Sequence, residues 1–404
     1  MTASAFGGGV FAAGDDTIKV GLIGCGGRGT GAAQDCLFAD EKVKLVAVGD
    51  AFEGNARGCV EGLKKKKDIG SRVTATPETT FFGLDAYQKV IDAGVDLVIL
   101  ATPPGFRPLH LEAAINAKKH VFCEKPVAVD GPGIRKVLSL VETAKKNGTA
   151  VVAGTQRRHQ TGYLETIKQL HDGAIGDIVA GRCSWNQGNI WFRNRTANMS
   201  DAEYQIHNWY HYVWLCGDHI VEQHVHNLDV INWVLGAHPV RCIGMGGRSN
   251  RQDGDPNQVG QIFDHFSVEY HYPKGQIIQS FCRQIKDCVD DVSELVIGTK
   301  GRCQVDAYQI NGKRVLKGED NQAYRQEHVD LIQSIRSGKP LNELQNVAES
   351  TLTAIMGRMS TYSGKQVTWE DALNSTLETM PKELTMKSAL KADPIAIPGK
   401  SRAF

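Results

Sequence analysis

Three glycines mark the first place where this chain could do chemistry. Gly24, Gly26 and Gly29 form a GxGxxG, with Gly27 and Arg28 inside it, directly after the apolar run Ile18–Ile23 and directly before a helical stretch. Glycines at that spacing permit a tight turn and let backbone N–H groups approach a pyrophosphate at a helix N-terminus. Twenty-one residues past Gly29, Asp50 ends a second apolar run, Ala47-Val48-Gly49-Asp50. A carboxylate there accepts hydrogen bonds from the adenosine ribose hydroxyls and repels a 2′-phosphate. Together these residues predict a dinucleotide site that takes NAD in preference to NADP.

A second concentration of reactive groups lies at Glu222-Gln223-His224-Val225-His226. An imidazole titrates near neutral pH, which makes His226 a natural general base. Four residues separate it from Glu222, so on a continuous helix the two side chains share a face that Asp229 and Trp233 extend. His219, Glu222, His224 and His226 also admit a metal-ligand reading, but His224 and His226 point apart on a helix. Polar packing is preferred for His219 and His224, and no metal is assigned.

Two further groups suit a polyhydroxylated ring. Gln156, Arg157, Arg158 and His159 end the first domain and are expected to face a cleft. A long loop offers Trp185, Asn186, Trp191, Arg193, Trp209 and Tyr210. The C–H faces of a sugar are apolar and its hydroxyls need partners, so aromatic rings beside Arg, Asn and Gln fit it. Packing at the domain junction is the alternative for any one of these aromatics. Arg158, Trp191, Trp209, Tyr210 and His226 are the substrate candidates.

The elements that must position these groups change character near Gly154. Before it, Ile18–Ile23, Val43–Val48, Val73–Ala75, Val95–Leu100, His120–Cys123 and Ala150–Ala153 read as buried strands. Helical spacing separates them at Gly31–Ala39, Asn55–Leu63, Leu84–Ala93, Leu109–Ala117 and Ile134–Lys146. Such alternation implies βαβ units and a parallel sheet covered on both faces. Beyond Gly154 come a helix at Gly162–Leu170, a strand at Ile178–Trp185, the loop from Asn186 to about Tyr212, and a helix at Val221–Leu235. Strands follow at Arg241–Gly244, Phe263–Tyr272, Gln276–Phe281, Glu294–Ile297 and Gly301–Asp306, then helices at Tyr324–Arg336 and Ala348–Met359. Phe266, Val268 and Tyr270 alternate with polar neighbours, as in a sheet with one dry face. The fold class is therefore α/β: a Rossmann-type doubly wound parallel sheet over residues 17–154, then an α+β domain with a large, mainly antiparallel sheet over 155–404.

Composition narrows the partners. The 404 residues carry 46 Lys plus Arg against 45 Asp plus Glu, a formal charge of +1, so no nucleic acid partner is expected. No apolar stretch is long enough to span a membrane. Residues 1–16, with Ala3, Ala5, Phe6 and three consecutive glycines, read either as the remnant of an export signal or as an unstructured leader. The first reading implies a periplasmic location and the second a cytoplasmic one. The ten cysteines show no CxxC pair or zinc spacing, and most read as buried thiols, which mildly favours a reducing compartment.

The stretch Ala101-Thr102-Pro103-Pro104, then His110, then His120-Val121-Phe122-Cys123-Glu124-Lys125-Pro126 resembles the Gfo/Idh/MocA family, which groups glucose–fructose oxidoreductase, inositol dehydrogenases and relatives. His226-Asn227-Leu228-Asp229 with Trp233, and Tyr362-Ser363-Gly364-Lys365 with Val367-Thr368-Trp369, extend the likeness over nearly the whole chain. The resemblance implies a cleft between the domains, a cis Lys125–Pro126 bond that aims Lys125 at the nicotinamide, and an open sheet used to form a dimer or tetramer. It also implies cofactor contacts from Thr102, Pro103, His110, Glu124 and Lys125. Lys125 would then supply a cation beside a developing alkoxide, with His226 taking the proton. The family usually has Asp-x-Gly-x-His where this chain has Glu222-Gln223-His224-Val225-His226, and the longer acid is read as orienting His226. The expected activity is NAD-dependent hydride transfer to or from a secondary alcohol carbon of a sugar, glycoside or inositol. A redox-neutral NAD-dependent glycosidase or lyase and a non-catalytic NAD-binding sensor are the alternatives.

Overall fold

The structure is a computed structural model that describes residues 16–249, 251 and 254–402. Six strands build an all-parallel sheet: β1 (Ile18–Ile23), β2 (Val43–Asp50), β3 (Thr80–Phe82), β4 (Leu97–Leu100), β5 (His120–Cys123) and β6 (Val151–Ala153). Their order is β3-β2-β1-β4-β5-β6. Every residue of β4 and of β6 is buried, as helices on both faces of a parallel sheet require. The winding reverses between β1 and β4, which opens a crevice at their carboxyl ends, where open α/β sheets bind ligands.

Val73–Ala75 is not a strand. Val73 makes a single bridge to Leu45, and the edge strand forms at Thr80–Phe82. Val73 and Ala75 are apolar because they pack into the core, while the amides of Thr74 and Ala75 both end on the Leu45 carbonyl. The chain also returns to this layer late. In the helix Ala323–Arg336, Leu331, Ile332 and Ile335 join the buried cluster of Leu22, Leu45 and Phe122.

The second sheet has nine strands: β7 (Ile178–Gln187), β8 (Arg241–Gly247), β9 (His265–His271), β10 (Ile277–Gln284), β11 (Asp291–Gly298), β12 (Gly301–Gln304), β13 (Gln309–Ile310), β14 (Lys313–Arg314) and β15 (Val367–Thr368). The order is β14-β13-β12-β11-β7-β10-β9-β8-β15, and among the described residues of this sheet the β7–β10 pair alone is parallel. Phe266, Val268 and Tyr270 of β9 point into the core formed with the helix Leu344–Ser363. The opposite face leaves Ile243, Met245, Ile277 and Ile297 exposed.

Two expectations about irregular segments need correction. The stretch after β7 is not loop throughout, because a helix forms at Asp201–His207, followed by a 3-10 turn at Trp209–His211. Ser200 accepts from the Glu203 amide at 3.0 Å, and Glu203 accepts from the Ser200 amide at 3.0 Å, a reciprocal cap that starts the helix. The expected helix Val221–Leu235 is broken into His219–Glu222 and Val225–Leu235, with Gln223 at φ −110° ending the first piece.

At the N-terminus, Asp16 is tied to Lys42 at 2.8 Å and to Arg336 at 3.7 Å, so it belongs to the fold; the rest of the expected leader lies outside the described residues. Nine of the ten cysteines are buried thiols and Cys288 is exposed. Among the described residues no helix is long and apolar enough to cross a membrane.

Candidate active site

The carboxyl edge of the parallel sheet opens into a cavity of about 920 Å³. Its floor is the glycine turn between β1 and the helix Gly27–Ala39. Gly24 has φ +98°, and a side chain there would strike the backbone of Ala101 and Thr102. A Cβ on Gly29 would collide with the Gly24 carbonyl, so the turn closes tightly on the helix. Gly26 and Gly27 face open space, and the helix has no side-chain cap, which leaves its first-turn N–H groups free for an anion. That open cradle fits a pyrophosphate.

At one end of the cradle, Asp50 closes β2. Its carboxylate accepts from the Cys25 amide at 2.7 Å, the Phe52 amide at 2.9 Å and the Asn55 side chain at 3.1 Å. It is thereby fixed at the cavity wall, where ribose hydroxyls would meet it. Arg28 reaches out of the turn to Glu124 at 2.5 Å and Glu327 at 3.1 Å. Gly154 makes room for Glu124, whose carboxylate a Cβ would strike. Thr102 and His110 are joined at 3.2 Å, and His110 stacks on Tyr87 at 4.4 Å. Burial, reinforced by Arg107, holds the His110 imidazole down to about 3, so it serves as a neutral ring. Thr102, Pro103, His110, Glu124 and Lys125 all line the same cavity.

At the other end stand the reactive groups. The Lys125–Pro126 peptide is cis. The Lys125 ammonium donates to the backbone carbonyl of Glu222 at 2.6 Å and to its carboxylate at 3.3 Å. Glu222 therefore engages Lys125 rather than His226, because the helix break carries it out of register with the imidazole. Burial pushes the Glu222 carboxyl above its ordinary range, against the pull of Lys125. His226 lines the cavity with its ring stacked on Trp185 at 5.6 Å. Burial first, and then the Lys125 charge, drive its imidazole well below the ordinary value. The His226 imidazole and the Lys125 ammonium thus line the same cavity.

Comparison with known proteins assigns both halves. Residues 18–155 match the family model described as "Oxidoreductase family, NAD-binding Rossmann fold", and residues 163–304 match the Gfo/Idh/MocA C-terminal domain. The chain belongs to the Gfo/Idh/MocA family. The inositol 2-dehydrogenase of Azotobacter vinelandii is 29% identical over 212 residues, 52% of this chain and 57% of that protein. The matched stretch thus spans little more than half the length of such relatives. Among solved structures, an oxidoreductase from Thermotoga maritima superposes with a TM-score of 0.66 at 20% identity, covering 88% of this chain and 100% of that one. The scyllo-inositol dehydrogenase of Lactobacillus casei, solved with NAD(H) and scyllo-inositol, gives 0.66 at 18% identity, covering 87% and 99%. At such identities these structures speak to the fold.

In this Gfo/Idh/MocA chain the glycine cradle, Asp50 and every other cofactor residue expected from the sequence lie on the cavity wall. Trp191, Trp209, Tyr210 and His226 lie there too. Arg158 does not. It clamps Asp229 with contacts at 2.9–3.1 Å and lies over the Trp233 ring at 5.1 Å, so it braces the domain junction. Its neighbours turn inward as well: Arg157 pairs with Glu294 at 2.6 Å and His159 with Asp330 at 2.6 Å. His219 faces the Tyr210 hydroxyl at 3.2 Å, and His224 the Ser280 hydroxyl at 2.8 Å, which is polar packing. The sequence reading missed Phe52, His207, Gln223 and Tyr324 on the wall. Tyr324 arrives on a helix packed back from the far end of the chain, which no local pattern announces.

Proposed function

We propose that this cavity is the active site of an NAD-dependent oxidoreductase acting on a secondary alcohol carbon of a sugar, glycoside or inositol. One observation carries the reading: Lys125, from the parallel-sheet half, and the neutral His226, from the other half, meet in one cavity with the dinucleotide cradle. When bound, NAD supplies an acceptor for the electrons and hydrogen of the alcohol carbon. His226, held uncharged, is in the form that takes a hydroxyl proton. Lys125, oriented by two acceptor atoms of Glu222, offers positive charge where negative charge develops on the substrate oxygen. Trp191, Trp209 and Tyr210 give apolar faces for the ring. The relatives named inositol dehydrogenases support a polyol-sized substrate.

A homo-oligomer of two or four chains belongs to the same proposal, built on the exposed sheet face with Ile243, Met245, Ile277 and Ile297. Light scattering tests it, and a monomer at micromolar concentration contradicts it. For the activity, nicotinamide absorbance is followed with a panel of sugars, glycosides and inositols. Net accumulation of NADH with one of them supports the dehydrogenase. Bond cleavage with no net change assigns the redox-neutral chemistry instead, and bound NAD with no reaction on the whole panel assigns a sensor.

A further inference from the structure

The cradle and Asp50 account for one wall of the dinucleotide site, and a further wall carries Ile206 and His207, which have no assigned role, beside the proposed substrate residues Trp191 and Trp209. It comes from residues 190–209, which belong to the C-terminal half yet reach the loop that follows β2. His207 meets Phe52 edge to face at 5.5 Å, two residues past Asp50. Ile206 and the partly buried Trp209 share an apolar cluster with Ala51, Phe52 and Leu84 of the parallel-sheet domain. The wall is also held rigid from within. Asn208, fully buried, accepts from the Arg193 amide at 2.9 Å and donates to the Arg193 carbonyl at 3.0 Å.

A second fastening comes from the C-terminal tail, which runs across the outside of this segment. The Ser200 hydroxyl donates to the Met386 carbonyl at 2.5 Å, the Ala202 amide to the Ser388 carbonyl at 3.2 Å, and the Gln205 side chain to the Leu390 carbonyl at 3.0 Å. Met380, Leu384, Met386 and Leu390 pack on the same apolar cluster. The tail is itself anchored to the first domain, where Asp130 accepts from the Thr379 amide and hydroxyl, each at 2.8 Å.

We infer that the segment 190–209, strapped down by the tail, is a roof over the Asp50 end of the dinucleotide site and makes NAD a retained group rather than a freely exchanging one. For NAD to leave past this wall, His207 and Ile206 must separate from Phe52, and that motion also strains the tail contacts. Such opening is a costly local unfolding step, so it slows dissociation more than association. The inference rests on NAD binding, not on the proposed alcohol oxidation.

The test reads exchange without turnover. Purified full-length protein is passed through gel filtration, its bound NAD is quantified by mass spectrometry after denaturation, and exchange against isotope-labelled NAD is timed. The expected result is near-stoichiometric NAD after filtration and slow exchange, accelerated at least about tenfold in His207→Ala. The same acceleration is expected in Met386→Ala, which touches the tail and not the cavity, and both variants are checked for an unchanged melting transition. Should one variant fail to fold, the other carries the comparison. Loss of NAD from the wild type on filtration, or equal exchange rates in wild type and folded variants, overturns the roof.

Discussion

Lys125 and Glu222 are 97 residues apart in the chain, yet the Lys125 ammonium is held at 2.6 Å from the Glu222 carbonyl and 3.3 Å from its carboxylate. This contact ties the cofactor domain to the segment that carries His226. It also leaves Lys125 with little freedom except toward the cavity. Lys125→Met should lower kcat by about 10²- to 10⁴-fold, the usual worth of a positioned acid or base, and His226→Gln should do the same. NAD affinity should stay within about threefold in both, since neither side chain builds the cradle. Steady-state kinetics beside fluorescence titration of NAD checks this, and full activity in both variants would remove the chemistry from this pair.

The NAD preference should depend on Asp50, which also organises the turn by accepting from Cys25, Phe52 and Asn55. Asp50→Ala removes a charged acceptor worth about 1.5–3 kcal/mol per hydrogen bond to it. NAD should bind about tenfold or more weakly, and the ratio of NAD to NADP affinity should fall. Titration with both cofactors decides; an unchanged ratio clears Asp50 of the role.

Arg158 should behave as a brace. Its bidentate contact with the buried Asp229, which also accepts from Ser350 at 2.7 Å, leaves an uncompensated carboxylate when the guanidinium is removed. Arg158→Ala should cost about 3 kcal/mol of stability. Once a substrate is identified, KM measured on the folded fraction should stay near the wild-type value. Denaturant melts and kinetics separate the two effects, and a large KM change with intact stability would return Arg158 to the substrate site.

The two ends of the pH scale should act on different histidines. Burial opposes charge on His159, but Asp330 and Glu343 outweigh it and lift its imidazolium to about 10. Its contribution to stability is complete below about pH 6.5, the ordinary value, and is lost as pH rises through about 10. His226 runs the other way. Its folded-state value is depressed, so below about pH 6.5 the unfolded chain takes up the proton and stability falls. His159→Gln should therefore flatten the decline in melting temperature between pH 7 and 10 while leaving the acid side unchanged. Melting curves across pH check this; a decline as steep in the variant would show that the His159 pair contributes nothing.

Much of the site was legible because its residues sit where local rules act. The glycine turn follows β1 and opens a helix, and Asp50 ends β2, so spacing alone placed them. Lys125 came through family likeness and His226 through its imidazole, while nothing in their immediate spacing says that they meet. What failed were inferences that needed tertiary detail. Glu222 and His226 share a face only on an unbroken helix, and the break at Gln223 sent Glu222 to Lys125. Arg157, Arg158 and His159 look like cleft residues until Glu294, Asp229 and Asp330 arrive from distant segments to pair with them. The helix Asp201–His207 was readable in principle, because Ser200 and Glu203 spell a capping box, but the surrounding aromatic and polar residues obscured it.

We propose that an alcohol carbon is oxidised against NAD in this cavity, with His226 taking the hydroxyl proton and Lys125 stabilising charge on the oxygen. The most direct measurement follows deuterium from polyols labelled at the carbinol carbon, with mass spectrometry of the nicotinamide after incubation with the enzyme. Label is expected on the nicotinamide of the wild type with at least one sugar or inositol, at a rate reduced at least about hundredfold in Lys125→Met and His226→Gln. Label that never reaches the ring, or reaches it equally fast in both variants, contradicts it.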